Sequence, residues 1–363
     1  MSYPQILTAL SGNPVTSAAT WEKHRRNEIL TLFQNFVYGV APIDRPGDLS
    51  FSVKEIERED NIIQKKVTIS FSALSFSANV FVPKDNKGKL PAYLLLMHEY
   101  QQNLCDVDKS LDFDIIPIKD IIKRGYAAVT FYLNGICPDL FQNKLNSEKR
   151  YCDGIFTAME YTHRPNSWSI IAAWAWGASR VMDYLETDKD IDKDKVIVAG
   201  HSRSGKTALW TAACDKRFKM AVSNDSGCTG AAFTRGKQGE HVKDINDVTH
   251  WFCENYENYN DDEDMLPVDQ HMLLALIAPR PLYVASSSED DWADPAHELL
   301  SCRLAGDAYG LYGLKGVVVP ESGAELNTPY HEGTIGYHIK TGEHSLTKRD
   351  WNFFMDFSDK YVK

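Results

Sequence analysis

Residues 195–210 read KVIVAGHSRSGKTALW, and this stretch limits the fold more than any other in the chain. A β-branched apolar run leads into a turn of small residues, and the turn opens a helix. Strand, sharp turn and helix in that order belong to α/β architecture, with the turn at the edge of a sheet where ligands bind. Ser202 falls at the tip of the turn. A serine there fits a nucleophile elbow, in which the turn lifts Oγ clear of the strand and the next amide points at a bound carbonyl oxygen. The same letters also satisfy a phosphate loop in full: Gly200, four residues, then Gly205, Lys206 and Thr207. The elbow is the looser match, because Ser204 stands where G-x-S-x-G has its second glycine. Taken alone, the stretch favours the phosphate loop.

Distant residues separate the two readings. A phosphate loop needs a second strand ending in an aspartate for magnesium, and MAVSND at 220–225 offers only a weak one. A serine nucleophile makes a harder demand: an acid at a later strand end, then a histidine later still. Both are present. PLYVASSSEDDWADP (281–295) is an apolar strand running into carboxylates, with Asp290 where the acid belongs. His344 lies in IKTGEHSLTKRDWNFF, between a strand at 335–339 and a terminal helix. Serine is a weak nucleophile at neutral pH, so an imidazole must take its proton. A carboxylate then fixes the tautomer of that imidazole and stabilises its cation. Ser202, Asp290 and His344, in that order at element boundaries, predict a serine hydrolase. The alternatives are a nucleotide hydrolase built on 200–207 and a non-catalytic binding module of the same fold.

The flanking segments predict one mixed, mostly parallel sheet with helices on both faces, an α/β-hydrolase fold. Residues 1–45 read as an N-terminal helical arm, with TWEKHRRNEILTLFQNFV (20–37) as its helix, and 46–363 as a single domain with an insertion at about 231–265. Three alternating segments between Ser50 and Pro83 predict antiparallel strands, and AYLLLM (92–97) a central buried one. A helix is expected over 114–123 and a strand at GVVVP (316–320). The tryptophans of 168–186 read as core, and the aromatic residues of the insertion, Trp251 among them, as a packed loop.

Net charge is −11 with no basic block, which argues against nucleic-acid or anionic-membrane partners. The longest apolar runs are too short to span a bilayer. The seven cysteines are scattered without zinc spacing. They read as buried reduced thiols, with Cys228–Cys253 a pairing for an oxidising compartment. No metal or cofactor is expected. No signal-peptide pattern opens the chain, so the expectation is cytoplasmic as it stands, and secreted or periplasmic if a leader was removed.

With its three residues placed, the chain resembles the glucuronoyl esterases of carbohydrate esterase family 15 and their bacterial relatives labelled acetyl xylan esterases. The resemblance runs through WEKHRRNEILTLFQNFVYGVAP, GHSRSGKTALW, SNDSGCTGAAFTRGKQGE, LPVDQHMLLALIAPRPLYVASSSEDDWADP and GYHIKTGEH. It implies a metal-independent α/β-hydrolase acting on plant cell-wall carbohydrate esters, cleaving glucuronate esters or, alternatively, removing acetyl groups. By the same resemblance Ser202 is the nucleophile and His344 the base. Arg203 supports the oxyanion through its amide and guanidinium, Lys206 reaches hydroxyls of the sugar, and Glu240 and Trp292 line the sugar site. Two departures bear on roles. Many relatives carry a catalytic Glu where this chain has the shorter Asp225, which makes Asp290 the first choice for the acid and Asp225 the second. The loop after AYLLLM reads HEYQQN in place of the usual asparagine-phenylalanine-glycine-like turn.

Overall fold

The computed structural model describes residues 3–71, 74–139, 153–159, 163–248 and 250–363. Cys152 lies outside them. Alternation at 50–83 produces three antiparallel strands, β1 (Ser50–Arg58), β2 (Ile62–Phe71) and β3 (Leu74–Pro83). β1 forms one edge of the sheet and is largely exposed, with Lys54, Glu55, Glu57 and Arg58 along it. Charges on an edge strand oppose pairing with another chain. The remaining strands are β4 (Leu90–Met97), β5 (Ala127–Tyr132), β6 (Ile191–His201), β7 (Met220–Asn224), β8 (Leu282–Ser287) and β9 (Ile335–Lys340). The nine lie in the order β1-β2-β3-β5-β4-β6-β7-β8-β9, antiparallel as far as the β3–β5 pair and parallel from β5 to β9. This is the expected α/β-hydrolase sheet.

Every residue of β4 from Pro91 to Met97 is buried, as its unbroken apolar run requires of a strand covered on both faces. The pleat divides those residues between two cores. Leu94 and Leu96 pack on one face with Val198, Trp174 and the N-terminal Trp21, Ile29 and Phe33. Tyr93, Leu95 and Met97 pack on the other with Ile197, Ala199, Trp351 and Phe354 of the terminal helix Lys348–Val362. The N-terminal helix, Arg26–Phe36 after a π-helical turn at Trp21–Arg25, is tied down by polar contacts as well. Arg26 donates to the carbonyls of Ala213 (2.6 Å) and Leu276 (3.2 Å), and Tyr38 stacks on Trp210 at 4.3 Å. Trp168, Trp174 and Trp176 are buried, as are Trp251, Phe252 and Tyr256 of the insertion.

Two expectations fail locally. GVVVP does not form a strand: Val317 makes one isolated bridge to Ile335, and the segment stays half-buried. Three valines between Gly316 and Pro320 are too short a run to hold an edge, and proline ends the donor series. The helix expected from 114 begins at Ile118, because Pro117 keeps the preceding residue out of helical geometry. The described cysteines are free thiols, so Cys228 and Cys253 are not bridged, and Cys214 is exposed rather than buried. Among the described residues no helix is long and apolar enough to cross a membrane.

Candidate active site

β6 ends at His201, and the helix Arg203–Cys214 begins two residues on. Ser202 makes the turn with φ 59° and ψ −129°, a region that side chains other than glycine's rarely occupy. The small neighbours are required sterically. A Cβ on Gly200 would sit 2.0 Å from the Ser204 carbonyl oxygen, and one on Gly205 would sit 3.0 Å from Cβ of Ser226. Ser204 fills the place of the motif's second glycine and is fully buried. The sharp turn therefore survives the departure from G-x-S-x-G.

The phosphate-loop reading is overturned here. The Lys206 ammonium is buried and donates to the carbonyls of Ser226 (2.6 Å) and Cys228 (2.5 Å), with Glu240 Oε2 at 3.7 Å. Thr207 Oγ1 bonds back to the Arg203 carbonyl at 2.9 Å, whereas a nucleotide site needs that hydroxyl on magnesium. Gly205, which would have to open onto a phosphate, is covered by Ser223 and Ser226.

The two later residues converge on the elbow. His344 Nδ1 donates to Asp290 Oδ2 at 2.5 Å, and Ser202, Asp290 and His344 line one cavity of about 310 Å³. Asp290 follows β8, and an Ala293 amide donates to its other oxygen at 3.2 Å. Burial works to raise the Asp290 carboxyl, but its bond to His344 and the charge of that ring hold it below the usual carboxylate range. For His344 burial works to lower the pKa, and the bond and charge of Asp290, then the charge of Asp225, raise it above the ordinary value. The pair thus favours an ionised acid and a basic imidazole.

Asp225, the second choice, sits deeper. Its Oδ2 accepts from Ser287 Oγ (2.8 Å) and the Ser345 amide (3.2 Å), while Oδ1 finds no partner among the described residues. Burial pushes its carboxyl up to about 6 against the opposing charges of Lys340 and His344. Polar atoms of Asp225, Asp290 and His344 lie within 4.8 Å of one another. Asp225 is therefore beside the imidazole, but the hydrogen bond belongs to Asp290.

Arg203 opens the elbow helix, so its amide lies at the positive end of the helix dipole. Its guanidinium bonds Asp139 Oδ2 at 2.5 Å and lies 4.7 Å above the Trp251 ring, whose Nε1 donates to Asp139 Oδ1 at 3.1 Å. Asp139 and Trp251 were not singled out as site residues from the sequence, and no local pattern joins them to Arg203. Glu240 and Trp292 join Lys206 in the cavity with Ser202, and the Glu240 amide donates to the Trp292 carbonyl at 3.0 Å. Trp292 is 57% exposed, an unusual state for an indole. Glu298 was also missed. Fully buried, it accepts from the Gly227 amide (2.9 Å) and Ser286 Oγ (2.6 Å), and so braces the loop whose carbonyls hold Lys206. Burial and then the charge of Asp225 push its carboxyl up to about 7.

A second cavity of about 440 Å³ meets the first at Ser202, Arg203 and His344, and is walled by Tyr100, Leu104, Phe113 and Leu346. His98, buried, also faces it. The pairing of Leu96 with Gly200 sets His98, just past the end of β4, level with Ser202, just past the end of the adjoining β6. Burial, then the charges of Arg203, His201 and His344, hold its imidazole well below the ordinary pKa. His201 bonds Asn224 Oδ1 at 2.8 Å with its ring 4.5 Å from that of His344, and His271 bonds the Pro4 carbonyl at 3.0 Å.

Comparison with known proteins agrees with this geometry. The profile of fungal glucuronyl esterases matches residues 66–313. Carbohydrate esterase MZ0003, from an unknown prokaryotic organism, is 37% identical over 99% of this chain and 89% of its own length. The glucuronoyl esterase from Solibacter usitatus superposes with a TM-score of 0.87 at 34% identity, covering 100% of this chain and 98% of that one. The Sporotrichum thermophile glucuronoyl esterase, solved with methyl 4-O-methyl-β-D-glucopyranuronate, gives 0.70 at 25% identity over 99% and 87%. Fold, elbow and matches agree, and the chain belongs to the glucuronoyl esterase family, carbohydrate esterase family 15, whose members are serine-type carboxylic ester hydrolases.

Proposed function

We propose that the protein cleaves esters of glucuronic acid carried on plant cell-wall carbohydrate, through an acyl-enzyme. Ser202 Oγ attacks the ester carbonyl while His344 Nε2 takes its proton. Nδ1 is engaged with Asp290, which leaves Nε2 for that task. The Arg203 amide and guanidinium stabilise the oxyanion. Collapse of the tetrahedral intermediate breaks the carbon–oxygen bond, and the alcohol leaves with the proton from His344. Water, deprotonated by the same ring, then releases the uronate. Lys206, Glu240 and Trp292 bind the sugar.

The observation that carries this reading is the His344–Asp290 bond in a cavity shared by Ser202 and the buried Lys206. A cation beside the nucleophile suits an acidic sugar, and the Sporotrichum thermophile relative was solved with a methyl uronate ester. The test compares hydrolysis of methyl 4-O-methylglucuronate with that of an acetylated xylo-oligosaccharide, and labels the protein with a fluorophosphonate. Turnover of the uronate ester is expected, with the label on Ser202 and both lost in Ser202→Ala. Turnover of the acetyl ester alone would move the function to deacetylation, and an unlabelled Ser202 would leave only a binding role.

A further inference from the structure

Behind His344 lies a buried ion cluster of Lys340, Asp225 and Asp350, of which Asp225 also lies beside the ring. Lys340 ends β9 just ahead of His344 and is buried. Its Nζ donates to the Ser345 carbonyl at 2.5 Å and lies 3.5 Å from Asp225 Oδ2 and 3.4 Å from Asp350 Oδ2. An ammonium has three protons, and here three acceptors surround it. Asp350 is itself fixed. Its Oδ1 faces His338 Nε2 at 2.8 Å, and its Oδ2 accepts the Thr347 amide and hydroxyl, each at 2.8 Å.

The chain on either side of His344 is tied down, before it by the backbone of Ser288 and Glu289 and after it by this node. Before it, the Lys340 carbonyl accepts from the Ser288 amide at 2.8 Å and the Gly342 carbonyl from the Glu289 amide at 2.9 Å. After it, Ser345 gives its amide to Asp225 and its carbonyl to Lys340. The imidazole itself bonds Asp290 and borders the cavity shared with Ser202. Stability is a poor account of such a lysine, since exchanging buried ion pairs for apolar groups is often neutral or favourable. Its shortest bond, to the residue next to His344, points instead to placement.

We propose that Lys340 is a positioning residue, holding the turn 341–345 so that the His344 ring meets Ser202 and Asp290 together. The proposal rests on His344 being the base for Ser202. It does not depend on which ester is cleaved. A displacement of about 1 Å in a reacting group lowers rates by about 10²-fold, and loss of the node should let the ring drift by up to about that distance.

Lys340→Met keeps the length and removes the charge and donors, whereas Lys340→Arg restores both. The readouts are the rate of fluorophosphonate labelling at Ser202, kcat and KM on methyl 4-O-methylglucuronate, and the melting temperature. For Lys340→Met, labelling and kcat are expected to fall together by about 10–10²-fold with KM near wild type, and Lys340→Arg should recover most of both. Wild-type rates in the methionine variant overturn the proposal. So does an arginine variant that melts like wild type yet labels as slowly as the methionine one. If the methionine variant does not fold, the arginine variant decides alone, on the same labelling rate. Failure of wild type on the uronate ester would remove the substrate reading, while the labelling comparison still judges Lys340.

Discussion

Replacing Asp290 with asparagine separates the two candidate acids and gives a magnitude. The change keeps the side chain's size and removes the charge from a 2.5 Å bond to His344 Nδ1. A hydrogen bond to a charged group contributes about 1.5–3 kcal/mol, which alone lowers kcat by about 10–10²-fold. The asparagine also no longer fixes the tautomer, and in the best-studied serine triad the full loss is about 10⁴ in kcat. Asp225 lies beside the ring and still offers a carboxylate, so the expected loss is about 10³-fold, inside that range. Asp225→Asn removes a charge that acts on His344 after that of Asp290 and without a bond to the ring. One pKa unit corresponds to a factor of ten, and about tenfold or less is expected. The pH profile supplies an independent sign. In the proposed mechanism His344 acts as a neutral base, and its pKa is raised above the ordinary value, so wild-type kcat/KM is expected to fall as pH drops through that raised value. Without the Asp290 anion, burial dominates and the pKa drops. The acid limb of Asp290→Asn should therefore move to lower pH even as the plateau falls. Initial rates on methyl 4-O-methylglucuronate over a pH series measure both. A larger loss in Asp225→Asn than in Asp290→Asn, or an acid limb that moves upward in Asp290→Asn, refutes the assignment.

Lys206→Met should raise KM for the uronate ester by about tenfold, since a hydrogen-bonded charge contributes about 1.5–3 kcal/mol, and calorimetry should find no binding of magnesium-ATP to wild type. Trp292→Ala should raise KM with the melting temperature nearly unchanged, because the indole is mostly exposed; an unchanged KM removes it from the sugar site. Gly200→Ala places a Cβ 2.0 Å from the Ser204 carbonyl oxygen, and a loss of at least about 2 kcal/mol is expected from overpacking in a denaturant melt.

The legible parts of this protein were those encoded by residue type at an element boundary. Ser202, Asp290 and His344 each end or follow a strand of the parallel sheet, so their letters and their order pointed to three residues that line one cavity. The continuous run of β4 likewise announced a strand buried on both faces. What stayed hidden was held by long-range contacts. Asp139 grips Arg203 from a loop distant in sequence, and nothing near either residue records the pairing. The Lys206 partners are backbone carbonyls of Ser226 and Cys228, which any residue would present. Lys340 reads as a surface residue by type and is buried only because Asp225 and Asp350 surround it. GVVVP failed in the opposite way. Its β-branched letters fit a pleated surface, but strand formation depends on neighbours that this segment meets at one bridge only.

The backbone of Ser202 lies in a conformation that glycine adopts freely and other residues hold at a cost of about 1–3 kcal/mol. The hydroxyl proposed as the nucleophile and the resilience of the fold therefore pull on one residue in opposite directions: a glycine at that point would relax the turn and remove that hydroxyl. Directed evolution that screens only for heat resistance would drift toward silencing the enzyme, and a screen for this scaffold has to read turnover after each heat step.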